Sequence, residues 1–184
     1  MPLASETYGQ FTVEDLRDPA IPEKGVEILQ GELIQMTPAG KYHNRVIENL
    51  VVLFRNFCRG RSDIDRGLDN EGFLLERNPD TLLSPDTCLF RPRPETEGPW
   101  MEFSPEIAVE VLSPSNSASE IAHKIRKYLS CGAEQVWIVD PEKRTIEFYF
   151  PEGRKLVASG DEVVKGEGIA KGLEISLVEV FRED

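Results

Sequence analysis

The run Ile107-Ala108-Val109-Glu110-Val111-Leu112, followed by Ser113-Pro114-Ser115-Asn116, decides the fold. A continuous apolar run of strand length marks a central strand covered on both faces. Ser113-Pro114 ends it. Ser117, with Glu120 three residues later, forms a capping box, so a helix opens there and runs to Cys131, with Gly132 past its end. Gln135–Asp140 is the next strand, and strand, helix, strand in this order make a βαβ unit with a right-handed crossover. Pro141-Glu142-Lys143-Arg144 then turns the chain into a hairpin partner, Thr145–Phe150.

Upstream, Val46, Ile47, Leu50, Val51, Phe54, Phe57 and Cys58 recur at helical spacing and predict a helix from His43 to Arg59, capped by Gly60. Short strands are expected at Ile64–Leu68, Phe73–Glu76, Leu82–Leu83 and Thr87–Phe90, and an exposed loop from Arg91 to Glu102. Val26–Leu29 and Glu32–Met36 flank Gln30-Gly31 as a tight hairpin, closed off by Thr37-Pro38-Ala39-Gly40. A short helix at Thr12–Arg17, capped by Thr12, lies within an N-terminal extension, residues 1–25. Lys155 to Phe181 reads as edge strands and turns. The class is α/β (α+β), with residues 1–184 forming one domain.

Charge narrows the function. The net charge is −12, which opposes non-specific nucleic-acid binding by Lys and Arg, so either any such face is local or the physiological substrate is something else. No apolar run approaches the roughly 18 residues of a membrane span, and Met1 to Glu6 carries no basic-then-apolar leader, so a cytoplasmic protein is expected. Cys58, Cys88 and Cys131 are scattered and odd in number, which suits neither a disulfide framework nor a zinc site.

Glu110 is the most informative residue. A carboxylate inside an apolar strand is costly to desolvate unless it is paired, protonated or bound to metal. Alternation puts it on one face with Ala108 and Leu112, close to the strand end where open α/β sheets bind ligands. A buried salt bridge or an edge position is the plainer alternative. Asp86, after Pro85, stands 24 residues earlier, a separation suited to two neighbouring strands. Two carboxylates converging there make a hard-oxygen site of the kind that takes Mg²⁺ with water and phosphate. On the following helix, Ile121, Ala122, Ile125, Tyr128 and Leu129 form the apolar stripe. Lys124 falls at its margin, either reaching inward or snorkelling as an ordinary surface lysine. Lys127 lies farther round, on the outer face. Trp137 is expected in the core rather than as a base-stacking platform.

These residues resemble a known family. The segment Glu110-Val111-Leu112-Ser113-Pro114-Ser115, with Lys124, Tyr128, Gly132, Trp137 and Asp140-Pro141 after it and Glu32, His43 and Pro85-Asp86 before it, is similar to the Uma-two family of putative restriction endonucleases. That family is a branch of the PD-(D/E)XK nuclease superfamily. The resemblance runs from about Thr12 to Phe181. It implies a restriction-endonuclease-like αβββαβ core, a mixed sheet flanked by helices with extra C-terminal strands. It also implies that Asp86 and Glu110 are metal ligands, that Lys124 is the catalytic lysine, and that Glu32 is a further acidic or water-binding group. The lysine usual two residues after the second acid is absent, since Leu112 stands there, and Lys124 on the next helix is the candidate to replace it. His43 resembles a family position near the site, and as a helix-opening residue it is equally well read as a hydrogen-bonded end group.

The expected chemistry is phosphodiester hydrolysis. Asp86, Glu110 and the Val111 carbonyl would hold Mg²⁺, for which Mn²⁺ can substitute, and Lys124 would stabilise charge on phosphorus. The partner implied is nucleic acid, DNA more than RNA, with no membrane, and a homodimer is left open. The rival is a catalytically inactive module that keeps the fold for binding or regulation.

Overall fold

A computed structural model describes residues 10–22, 24–36, 38, 40–68, 71–94 and 98–183. Thr37 and Ala39 of the expected turn, residues 95–97 of the expected loop, and residues 1–9 and 23 of the expected N-terminal extension lie outside the described residues. In chain order the elements are β1 (Val26–Leu29), β2 (Glu32–Gln35), α1 (Lys41–Cys58), β3 (Asp65–Leu68), β4 (Phe73–Glu76), β5 (Thr81–Leu83), β6 (Thr87–Phe90), β7 (Ile107–Val111) and α2 (Ala118–Ser130). They continue with β8 (Gln135–Asp140), β9 (Thr145–Tyr149), β10 (Lys155–Ser159), β11 (Val163–Lys165), β12 (Glu174–Ser176) and α3 (Leu177–Val180).

Local chemistry explains the boundaries. Gln30 and Gly31 both take positive φ, 53° and 80°, the conformation that a two-residue turn between right-twisted strands requires. The Ser117 hydroxyl accepts from the Glu120 amide at 3.1 Å and starts α2. Gly60, at φ 75°, stops α1. Where a helix is expected at Thr12–Arg17 a 3-10 turn forms, Asp15–Arg17, and the cap runs opposite to expectation: the Asp15 carboxylate accepts from both the amide and the hydroxyl of Thr12.

Six strands form one sheet in the order β10-β9-β8-β7-β6-β3, parallel only between β7 and β8, the pair that α2 connects. α1 packs on one face through Val46, Leu50 and Phe54, meeting Val109, Val111 and Trp137. Trp137 is fully buried between the edges of Phe54 and Phe148, 5.4 and 5.1 Å away. α2 covers the other face through Ile125 and Tyr128, against Ala108, Val136 and Ile138. A core of α1, β3, β6, β7, α2 and β8 is the αβββαβ arrangement. Within it the β4–β5 hairpin is an insertion. It joins the β1–β2 hairpin in a second, four-stranded sheet of order β2-β1-β5-β4. Leu29 and Leu83 of that sheet pack into the α2 side of the core, so the two sheets share one apolar cluster. All three cysteines are free thiols. Among the described residues no helix is long and apolar enough to cross a membrane.

Candidate active site

Strand register brings the two expected acids together. β6 and β7 are antiparallel with Thr87 opposite Val109, so the next position outward sets Asp86 against Glu110. Asp86 stands just before β6, and its Oδ2 accepts the Val111 amide at 2.6 Å, which satisfies a backbone donor where the ladder runs out. The Val111 carbonyl accepts from His43 Nε2 at 2.8 Å, which fixes the proton on that nitrogen. Both backbone groups of Val111 are thus held, the amide by Asp86 and the carbonyl by His43. His43 is the third residue of α1, not the first, and its ring reaches the end of β7.

Glu110 points toward α2, where Lys124 and Tyr128, four residues apart, share the inner face. Lys124 Nζ lies 3.1 Å from Glu110 Oε2, and the Tyr128 hydroxyl donates to Oε1 at 3.0 Å. A second carboxylate closes the cluster. Glu27 of β1 is fully buried; its Oε2 sits 2.6 Å from Lys124 Nζ as an ion pair rather than a well-directed hydrogen bond, and its Oε1 accepts the Ser84 amide at 2.8 Å. Lys124 therefore spans the two sheets, with one carboxylate from each.

Three expectations are corrected here. Lys124 is not at the stripe's margin but in the middle of the buried face, 2% exposed. Lysine breaks an apolar pattern, whereas two buried carboxylates make its ammonium welcome there. Lys127 is not on the outer face either; it is half-buried and paired with Glu76 of β4. Glu32 is exposed at the start of β2, opposite Leu29, and does not join Asp86, Glu110 and Lys124. The acid that does, Glu27, carries the same sequence signal as Glu110: a lone carboxylate among Val26, Ile28 and Leu29.

The electrostatics follow from three charges in a dry setting. Burial, partly offset by Lys124 and reinforced by Glu27 and Asp86, raises the Glu110 carboxyl to about 8. Burial opposes the Lys124 charge, yet Glu110 and Glu27 outweigh it and hold the ammonium above its ordinary value. Burial and Glu110 push the Tyr128 phenol well above 10. One ammonium between two carboxylates leaves one excess negative charge, which a proton on Glu110 removes.

A stability effect with a definite sign results. Glu110 has a raised folded pKa, so its contribution is complete below the unfolded value near 4.5 and is lost as pH rises through about 8. Urea melts between pH 5 and 8 are expected to show wild-type stability falling with pH through this group. Glu110→Gln, neutral at every pH, should flatten that slope. An unchanged slope would mean Glu110 titrates at an ordinary value.

Asp86, Glu110, Lys124 and His43 all line one cleft of about 570 Å³, together with the Ser113–Asn116 loop. Among the described residues no group of three His, Cys, Asp or Glu forms a ready-made metal cage. The donor set still suits Mg²⁺, which keeps several waters and needs only one or two carboxylates beside substrate phosphate. Asp86 and Glu110 open to the same cleft, and an oxygen accepting one hydrogen bond keeps a second lone pair.

Comparison with known proteins gives a family and a fold. A family described as Uma2, putative restriction endonuclease, matches residues 13–178. The crystal structure of a putative nuclease from Anabaena variabilis has the same fold, with a TM-score of 0.77 at 21% identity, covering 87% of this chain and 91% of that one. No curated protein matches.

Proposed function

Because the chain belongs to the Uma2 family of putative restriction endonucleases, we propose that it is a metal-dependent nuclease hydrolysing phosphodiester bonds of nucleic acid, DNA in preference to RNA. One observation carries the reading: Lys124, supplied by the helix rather than by β7, reaches Glu110 at 3.1 Å on the wall of the cleft that Asp86 also lines.

Asp86 and Glu110, with the Val111 carbonyl, would hold Mg²⁺ or Mn²⁺, and the ion when bound would supply an acidified water and charge neutralisation. The chain's own groups do the rest. Lys124 presents a fixed positive charge to the phosphoryl oxygens as negative charge builds on them. Glu27 and Glu110 keep that ammonium charged and stationary. Tyr128 locks Glu110 Oε1, and His43 orients the Val111 carbonyl.

Cleavage of a panel of DNA and RNA substrates with Mg²⁺ or Mn²⁺ tests the proposal, at low salt because the surface is acidic. No cleavage across the panel would favour the inactive binding module, a reading supported by the net charge of −12 and the mutual pairing of Glu27, Lys124 and Glu110.

Metal binding has its own readout. An ion that binds only the folded chain stabilises it by mass action, about 2.7 kcal/mol at a hundredfold excess over Kd. Millimolar Mg²⁺ or Mn²⁺ should raise the melting temperature of the wild type and of Glu32→Ala, but not of Asp86→Ala. An equal rise in all three would remove Asp86 from the metal site.

A further inference from the structure

At the other end of α1 from the cleft, four arginines line a second pocket of about 460 Å³: Arg55 and Arg59 from the helix end, and Arg61 and Arg66 from the segment leading into and along β3. Such a concentration is out of place in a chain of net charge −12. Several arginines elsewhere sit against carboxylates: Arg77, Arg91, Arg93, Arg144 and Arg154. Arg61 pairs with Asp63 and lies over the Phe57 ring. Among the described residues Arg55, Arg59 and Arg66 pair with no carboxylate, although Asp65 lines the same pocket. Arg66 also buries its Nε without a hydrogen-bond partner. A buried donor left unsatisfied is costly and calls for an acceptor. The helix dipole accounts for cations near the last turn of α1, but not for Arg66 converging on them from a strand.

We infer that this pocket binds phosphate: planar guanidinium forks match phosphate oxygens, and the unpaired positive charge is concentrated there. Arg55 and Arg59 follow His43 by 12 and 16 residues, so the pocket lies about 18–24 Å from the cleft along α1. At 3.4 Å per nucleotide along one strand of a duplex, that span is roughly five to seven base pairs. The phosphate favoured is therefore one in the backbone of the same polynucleotide whose cleavage is proposed above. On that reading the pocket is a remote foothold that lets an acidic protein hold an acidic substrate. A free phosphate compound is the other source of the same chemistry.

Two measurements without divalent ions test this. Pyrophosphate should raise the melting temperature of the wild type and of Asp86→Ala, and should not raise that of R55Q/R59Q/R66Q. The double variant R55Q/R59Q, altered only at exposed positions, should lose most of the shift and serves if the triple variant does not fold. Oligonucleotide affinity should fall with salt less steeply in R55Q/R59Q, by about 1.8 in the slope of log K against log salt. K165Q/K171Q, with the same change in net charge at other exposed positions, should keep the wild-type slope. Loss of the pyrophosphate shift with an unchanged oligonucleotide slope would assign the pocket to a free phosphate compound. No pyrophosphate shift in the wild type, or an undiminished shift in both arginine variants, would overturn the inference. Because the pyrophosphate arm needs no hydrolysis, it stands or falls separately from the nuclease reading.

Discussion

Lys124→Ala is expected to abolish hydrolysis and to cost the fold about 3–5 kcal/mol, because it leaves two buried carboxylates without their common cation. The rate loss has a separate origin. Removing one positive group that acts on the transition state costs roughly a hundredfold to a thousandfold, even where the protein stays folded. Activity must therefore be compared at a temperature where every variant remains native. The proper neighbour control is Arg126→Ala, on the exposed side of α2, rather than a change at Lys127, which is tied to Glu76. Lys124→Met keeps the aliphatic stem and separates packing from charge: it should recover part of the stability and none of the activity. Stabilisation by Mg²⁺ should persist in both Lys124 variants, since the lysine is not a ligand. Equal rate losses in Lys124→Ala and Arg126→Ala would sink the assignment of Lys124.

Glu27→Ala should have the second largest effect, about 3 kcal/mol or more of stability together with most of the activity. The side chain is fully buried, and removing it strips Lys124 of one partner and the Ser84 amide of its acceptor. Glu27→Gln retains an oxygen for the Ser84 amide, so it should be milder in chemical denaturation while still lowering the rate. Glu32→Ala, at an exposed strand start, should stay within about 0.5 kcal/mol and keep full activity. If Glu32→Ala proved the more damaging, the role given to Glu27 would be wrong.

Much of the fold is legible because periodicity and caps are local. Phe73–Glu76, Thr87–Phe90 and Gln135–Asp140 match the expected strands in full, and the Ser117 capping box opens α2 where the sequence places it. Partition of the strands into two sheets was not legible. It depends on β1 pairing with β5, more than fifty residues away, which no local pattern encodes. α3 has only four residues, too few for a period, and was absorbed into expected edge strands. The site shows the same division. Glu110 is conspicuous because a charge interrupts an apolar strand. Glu27 interrupts one in the same way, but the hairpin around Gln30-Gly31 drew the family resemblance to Glu32 instead. Neither carboxylate alone shows that a lysine will be buried between them. That is a property of two sheets meeting, and periodicity along α2 alone puts Lys124 at a boundary rather than in the core.

Lys124 joins a carboxylate from the four-stranded sheet to one from the six-stranded sheet. Separating the sheets would strand the Lys124 ammonium and its buried carboxyl partners in a half-dry gap, so neither sheet can open alone at low cost. The two should therefore behave as a single cooperative unit, with Ile28 and Val109 exchanging their amide hydrogens at a common opening free energy. The residue assigned to phosphoryl chemistry would then also be what makes unfolding all-or-none. Any lineage that gave up the lysine would have to rebuild the seam between the sheets as well as lose the reaction.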